Sequence, residues 1–310
     1  MSESRQKPFS EVKELPQNRI GILGATSLVG TCLLPLLNET GWLITACSRS
    51  TDEQPGKGLQ WQRLPMPESI SLSPALQKSA DVIPNWICLA PIWVLPDYFS
   101  FFEVHGARRV VVLSSTSRFT KNESTDPEEQ ATALQIANAE ARVQEWAERT
   151  CVEWVILRPT LIYGFGQDKN IAEITRFIRR FGFFPLFGKA SGLRQPIHAA
   201  DVASACLATI EASCPVNRAY NISGGETLSY RNMVTRVFIS LNRRPRLLTV
   251  PLWTFRLAVT LLRYLPRYQN WSAAMAERMN QDLVFDHTEA ARDFAFKPRS
   301  FVLPTEDLPS

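Results

Sequence analysis

Several absences narrow the field before any motif is read. The 310 residues hold only three histidines, and His105, His198 and His287 stand too far apart in the chain to suggest a metal site or a catalytic triad. The six cysteines form no C-x-x-C pair and lie mostly in apolar runs, where a thiol acts as a small hydrophobe. A metal is therefore not expected, and a reducing, cytoplasmic setting is. No apolar run reaches the roughly 18 residues needed to cross a bilayer. The nearest, residues 250–266, is interrupted by Arg256 and Arg263. Residues 1–17 lack the apolar core of a secretory signal and read as a polar, partly ordered tail. Basic residues exceed acidic ones by only 34 to 30, which gives no dense stripe for nucleic acid.

What remains is a composition of 45% hydrophobic and 21% charged residues, enough to bury a sizeable core. From residue 19 onward short apolar runs alternate with amphipathic stretches, the pattern of a parallel sheet flanked by helices. Strands are expected at 19–24, 42–49, 59–64, 83–90, 108–115 and 152–160. The clearest helix is expected over 128–149, where Ala139, Val143 and Trp146 share one buried face. A second, over 170–181, places Ile171, Ile174, Ile178 and Phe181 together, with Arg176, Arg179 and Arg180 turned away. A third covers 199–212, and a short strand is expected at 246–250. The fold class read from this is α/β, a Rossmann-type doubly wound parallel sheet. Residues 18–165 form the nucleotide-binding domain. Residues 166–310 form a smaller, partly discontinuous lobe, with about 196–225 returning to the first domain.

The first crossover reads GATSLVG, residues 24–30. A glycine-rich turn between a strand and a helix presents backbone N–H groups and the positive helix end to a pyrophosphate. Gly24 and Gly30 leave room for that approach, whereas Ser27 puts a side chain at the middle position. A bare tight turn without ligand is the plainer alternative. The second strand ends in Ser48-Arg49-Ser50. NAD-selective sites place an acid there, and a basic residue suits a 2′-phosphate, so Arg49 favours NADP(H) over NAD(H) unless it is merely a solvated loop residue.

Taken together, GATSLVG, VVVLSSTS, LRPTLIYG and GLRQPIHAADVA resemble the short-chain dehydrogenase/reductase superfamily in its extended, NAD-dependent epimerase/dehydratase branch. The likeness covers roughly residues 19–225. It implies a Rossmann domain with a small C-terminal substrate lobe and substrates of the nucleotide-diphosphate sugar class. By that resemblance Gly24, Thr26, Ser27, Leu28, Val29 and Gly30 would hold the pyrophosphate, Ala90 would border the cofactor ribose, and Pro159 would pack near the nicotinamide. Ser114 ends the fifth strand with Ser115, and Thr116 matches the catalytic Ser/Thr. Arg194 matches an arginine that contacts the substrate diphosphate, and Asn170 opens a helix whose N-terminus would do the same. His198 and Asp201 match the family's H-x-x-D turn and are expected to cap the helix that begins near Ala200.

The same resemblance exposes a gap. The family's proton relay is Tyr-x-x-x-Lys, the lysine lowering the phenol's pKa. Thr132 and Ile136 stand at those positions, and residues 122–162 contain neither tyrosine nor lysine. Lys121 is a candidate substitute, and Tyr98 and Tyr163 are further ones, each with a plain structural reading beside it. Residues 253–264 carry a wide apolar surface, to be buried in the protein or a homodimer, or docked shallowly on anionic lipid. Arg243, Arg244 and Arg246 just upstream are expected to be solvated. The leading expectation is an NAD(P)-dependent epimerase or reductase of a nucleotide-sugar-like small molecule. The rival is a non-catalytic dinucleotide-binding subunit, structural or redox-sensing, as some family members are in respiratory assemblies.

Overall fold

The computed structural model describes residues 18–49, 58–66, 81–122, 124, 126–211, 215–251 and 273–309. The N-terminal tail and most of the apolar stretch 250–266 lie outside the described residues. Strands β1 (Arg19–Leu23), β2 (Leu43–Ser48), β3 (Leu59–Arg63), β4 (Asn85–Cys88), β5 (Arg109–Leu113) and β6 (Glu153–Pro159) form where the apolar runs place them, each trimmed by a residue or more. A further sheet strand, Arg218–Ile222, was not anticipated. Its sequence RAYNI alternates too little to declare itself, and it is fixed by parallel pairing with β6, Tyr220 opposite Leu157.

The seven strands of the main sheet run parallel, in the order Arg218–Ile222, β6, β5, β4, β1, β2, β3. Chain direction across the sheet therefore reverses between β1 and β4. In open sheets of this kind the crevice at such a reversal, outside the carboxyl ends of the strands, is where ligands bind.

One face of the sheet is covered by helix α1 (Leu28–Glu39) and the helix Ala199–Glu211, whose Leu33, Leu37, Val202 and Cys206 are wholly buried with Ile22 and Val111. The opposite face is covered by the long helix Pro127–Thr150. Its Ala139, Val143 and Trp146 pack on Trp86, Phe102 and Ile156, and Asp126 caps its start by accepting from the Glu128 amide. Burial of these stripes, rather than helix propensity, is what holds such helices in place.

The C-terminal half adds a second core, built from the helix Ile171–Phe181, the helix Tyr230–Ser240 and the paired strands Phe184–Phe187 and Leu247–Val250. Ile171, Ile174 and Ile178 are buried in it as expected. Phe181 is not: it is half exposed, at 50%, because Gly182 ends the helix in a left-handed turn and carries the chain away before the last residue of the stripe is covered.

The H-x-x-D turn also differs from expectation. The His198 ring, not a carboxylate, caps the following helix: Nδ1 accepts from the Ala200 amide at 3.1 Å, leaving Nε2–H to donate to Asp307 at 3.1 Å. Asp201 instead binds Arg299 twice, at the amide (2.9 Å) and at Nε (2.8 Å). The pair ties the C-terminal segment down across the turn. A helix start needs only an acceptor, and imidazole supplied one.

Candidate functional site

The turn after β1 is shaped by its two glycines. Gly24 has φ +85°, and a Cβ there would lie 2.7 Å from the Ala90 amide nitrogen; one at Gly30 would lie 2.1 Å from the Ala25 carbonyl oxygen. Neither clash can be relieved by a side chain moving, since backbone is what would be struck. Ser27 is accommodated without such strain. At φ −72°, ψ 162° it takes the ordinary N-cap conformation, and its Oγ accepts from the Gly30 amide at 3.2 Å. A serine in place of the middle glycine thus gives α1 a better cap than glycine would, by a few tenths of a kcal/mol.

With the Gly30 amide taken by Ser27 Oγ, the amides of Leu28 and Val29 remain without an intrahelical acceptor at the positive end of the helix dipole. They open at the carboxyl edge of β1, beside Ala90 at the end of β4. This is a cradle that fits a pyrophosphate.

The other residues that the resemblance assigns to a cofactor lie along the same edge. The Ser114 amide donates to Leu157 O at 2.7 Å and the Thr116 amide to Pro159 O at 3.1 Å, so the ends of β5 and β6 are locked together. Thr26 and Arg49 are exposed, Leu28 half-buried and Val29 buried; Arg49 stands at the end of β2, within electrostatic range of Tyr98. One sheet edge therefore carries the glycine turn, Arg49, Ala90, Ser114, Thr116 and Pro159.

The groups expected to move protons are placed differently. The Thr116 hydroxyl, buried, donates to the Pro159 carbonyl at 3.1 Å. Thr132 donates to the Glu128 carbonyl of its own helix at 2.8 Å, and Ile136 is 3% exposed in the core. The Tyr163 phenol is held by the Val302 carbonyl at 3.2 Å, and burial pushes its pKa up to about 12. Tyr98 is half-buried, and burial, with Asp97 beside it, raises its pKa. Lys121 is the exception. Half-buried after the short helix Ser117–Thr120, it is held below the usual lysine range by burial and by the nearby Arg278 cation.

A buried charge cluster that the sequence reading missed lies behind Ser114. Glu140, 1% exposed, accepts from Ser114 Oγ at 2.5 Å, from Arg158 Nη2 at 2.6 Å and Nε at 3.0 Å, and from Arg118. Burial alone would raise the Glu140 pKa, but the hydrogen bonds from Arg158 and Ser114 and the two guanidinium charges bring it below the ordinary value. Phe119 has both guanidinium groups near its ring, each 5.3 Å from the centroid. The signal was available: Glu140 lies four residues after Ile136 and three before Val143, a charge set into an apolar stripe.

The substrate-side residues are more enclosed than the resemblance implies. Arg194 is 5% exposed, and its guanidinium donates to the Leu193 and Gln281 carbonyls at 2.7 Å and to that of Arg278, with the Tyr230 ring beneath it. Asn170 is exposed and its side chain makes no capping bond. The amides of Asn170, Ile171 and Ala172 all donate to Asp168 Oδ1, at 2.8, 2.6 and 3.2 Å. Among the described residues no group of three or more His, Cys, Asp or Glu is placed to hold a metal, and no helix is long and apolar enough to cross a membrane.

Residues 99–223 match the model of the NAD dependent epimerase/dehydratase family. That segment resembles the epimerase/dehydratase family and makes up less than half of the chain. It contains Ser114, Thr116, Glu140, Pro159, Asn170 and Arg194, and it begins after the glycine turn. A UDP-glucose 4-epimerase from Vibrio cholerae is 26% identical over 137 residues, covering 44% of this chain and 42% of that protein, so the chain spans less than half of that epimerase's length. A mitochondrial NADH dehydrogenase [ubiquinone] 1 alpha subcomplex subunit 9 from Dictyostelium discoideum is 23% identical over 244 residues, covering 73% and 68%.

Among solved structures, a UDP-glucuronic acid 4-epimerase from Bacillus cereus, in complex with UDP-glucuronic acid and NAD, superposes with a TM-score of 0.67 at 14% identity, over 90% of this chain and 94% of that one. MoeE5 in complex with UDP-glucuronic acid and NAD gives 0.65 at 20%, over 91% and 94%. At such identities these likenesses bear on the epimerase fold, which the parallel sheet shares.

Proposed function

We propose that this chain holds a nicotinamide dinucleotide on the α1 amides and does so without the family's proton relay, as a dinucleotide-binding subunit rather than a sugar epimerase. When bound, the dinucleotide supplies hydride transfer. The glycine turn would grip the pyrophosphate, Ala90 would border a ribose, and Arg49 would pair with a 2′-phosphate and so favour NADP(H) over NAD(H).

The observation that carries the reading is the face of the helix Pro127–Thr150 at the two relay positions. Ile136 is core, and the Thr132 hydroxyl is engaged with its own helix. Thr116 and Tyr163 are likewise bonded to backbone carbonyls. The broader match to the Dictyostelium subunit agrees with this reading, since it extends over 73% of the chain.

One observation favours the second reading, an enzyme acting on a nucleotide-sugar-like substrate. Lys121 is held below its ordinary pKa beside the lobe that carries Arg194, a shift that suits a proton donor. Fluorescence titration with NADPH and NADH, followed by a panel of UDP-sugars, separates the two. Binding without cofactor oxidation or sugar interconversion is expected. Turnover abolished by Lys121→Met would overturn the non-catalytic reading, and no binding of either dinucleotide would overturn both.

A further inference from the structure

We infer that the end of the C-terminal lobe where the helix Ile171–Phe181 stops is a docking surface for an anionic lipid membrane. Three observations meet there.

The first is exposure of apolar groups. Phe181 is 50% exposed, Phe183 37% and Leu248 54%. They form one patch: the Phe181 and Phe183 rings lie 6.4 Å apart, and Leu248 pairs with Pro185 across the two strands that follow. Both rings also contact Phe177, with centroids at 4.6 and 5.8 Å, which holds them outward on a fixed base. Exposed phenylalanines side by side are costly in water and are the groups that enter the boundary between headgroups and acyl chains.

The second is the cations around them. Arg180 lies over the Phe181 ring at 5.3 Å. Arg243 donates to the Ile178 carbonyl at 2.8 Å, which anchors the exposed stretch 242–246 against the end of the helix. Arg246 is placed by its carbonyl, which accepts from the Phe184 amide at 2.9 Å. Arg180, Arg243, Arg244 and Arg246 form no ion pair among the described residues.

The third is the distribution of charge in the chain. Residues 174–200 contain no aspartate or glutamate, and residues 227–276 contain eight arginines with no aspartate, glutamate or lysine. The whole chain has a net charge of only +4, so those eight arginines exceed its entire basic surplus. Of these, Arg243, Arg244 and Arg246 lie among the described residues on the exposed stretch beside the end of the helix Ile171–Phe181, where Arg180 also stands. Arginine that merely solubilised the surface would be interspersed with acids.

Charge and apolarity in one patch distinguish the occupant. A nucleic-acid duplex would use the arginines and leave Phe181, Phe183 and Leu248 in water, and a single strand, which stacks bases on rings, would still leave Leu248 uncovered, whereas an anionic leaflet satisfies both. Each arginine brought near such a leaflet raises the association constant about fivefold.

The test is flotation of the full-length protein with vesicles of phosphatidylcholine alone or with about a third of phosphatidylglycerol. Binding to the anionic vesicles only, weakened by raising the salt, is the expected result. R180E/R244E/R246E should weaken it by at least about 30-fold, and F181S/F183S by about 10-fold, with the far-ultraviolet spectrum of both variants like that of the parent. The inference fails if anionic vesicles are not bound, or if both variants bind like the parent. It also fails if the phenylalanine variant alone is unimpaired while RNA competes as well as vesicles do, which marks a polyanion site instead. None of these readouts depends on whether a dinucleotide is bound or turned over.

Discussion

Two regions of the Rossmann half, the turn after β1 and the face of the helix Pro127–Thr150 that approaches β5 and β6, depart from the family pattern in opposite ways. At the turn, a serine replaces a glycine and the geometry is kept, because the position needs an N-cap and not a positive φ. On the helix, Thr132 and Ile136 stand where the family pattern has a tyrosine and a lysine, the first bonded to its own helix and the second buried in the core. Binding through backbone amides tolerates a change of side chain; proton transfer through a phenol does not. The turn therefore keeps its shape through its substitution, while the two helix positions hold no phenol and no ammonium.

Substitutions at Glu140 put this comparison under the greatest strain. Glu140→Ala leaves Arg158 and Arg118 without their shared carboxylate in a buried setting, and a loss of about 3–5 kcal/mol is expected in urea unfolding. A loss below about 1 kcal/mol would show that the cluster is dispensable and the helix free to be rebuilt. The pH dependence has a definite sign. Because the folded-state pKa of Glu140 is depressed, its contribution is complete above the ordinary carboxylate value of 4.5 and is lost as pH falls below it through the folded value. In the parent the urea midpoint should drop steeply in that acid range, and Glu140→Gln should flatten the drop.

Next in size is the attempted restoration of the relay. Thr132→Tyr/Ile136→Lys places a cation where Ile136 is 3% exposed, and about 3 kcal/mol of destabilisation is expected with no gain of sugar interconversion. Appearance of epimerase activity in that double variant would abolish the distinction drawn between the two regions.

The turn is tested by Gly24→Ala. A Cβ there meets the Ala90 backbone at 2.7 Å with φ at +85°, and a loss of about 1–3 kcal/mol should accompany at least a tenfold weaker dinucleotide affinity by calorimetry. Retained affinity would mean that the turn is not where the phosphates sit. Arg49→Asp is expected to shift the NADPH to NADH preference by about tenfold, the value of one charge-assisted contact of about 1.4 kcal/mol; an unchanged ratio removes the reason for assigning the phosphorylated coenzyme. The smallest effect belongs to Ser27→Gly, with stability lower by a few tenths of a kcal/mol and affinity within about threefold. A large rise in affinity would show that the serine side chain obstructs the site.

Much of this was legible in the sequence because it rests on local pattern. The six expected strands and the buried stripe of Ala139, Val143 and Trp146 follow from periodicity, and the glycine turn follows from two residues whose Cβ atoms have no room. The strand Arg218–Ile222 was not legible, since an edge partner of β6 is chosen by a neighbour more than sixty residues away. Nor was the role of Asp201, which looked like a cap and binds Arg299, nor the exposure of Phe181, which continues an apolar stripe past the point where the helix ends.

The amino-acid sequence by itself determined the alternation of strand and helix, the glycine turn after β1 and the absence of tyrosine and lysine from residues 122–162, because each depends on the identity of residues within a few positions of one another. Only the tertiary structure decided that Ile136 is core, that Glu140 is shared by two arginines, and that Arg180 and Arg243 stand at the helix end where Phe181 is exposed. Burial and charge pairing are set by residues distant in the chain, which meet only when the layers close.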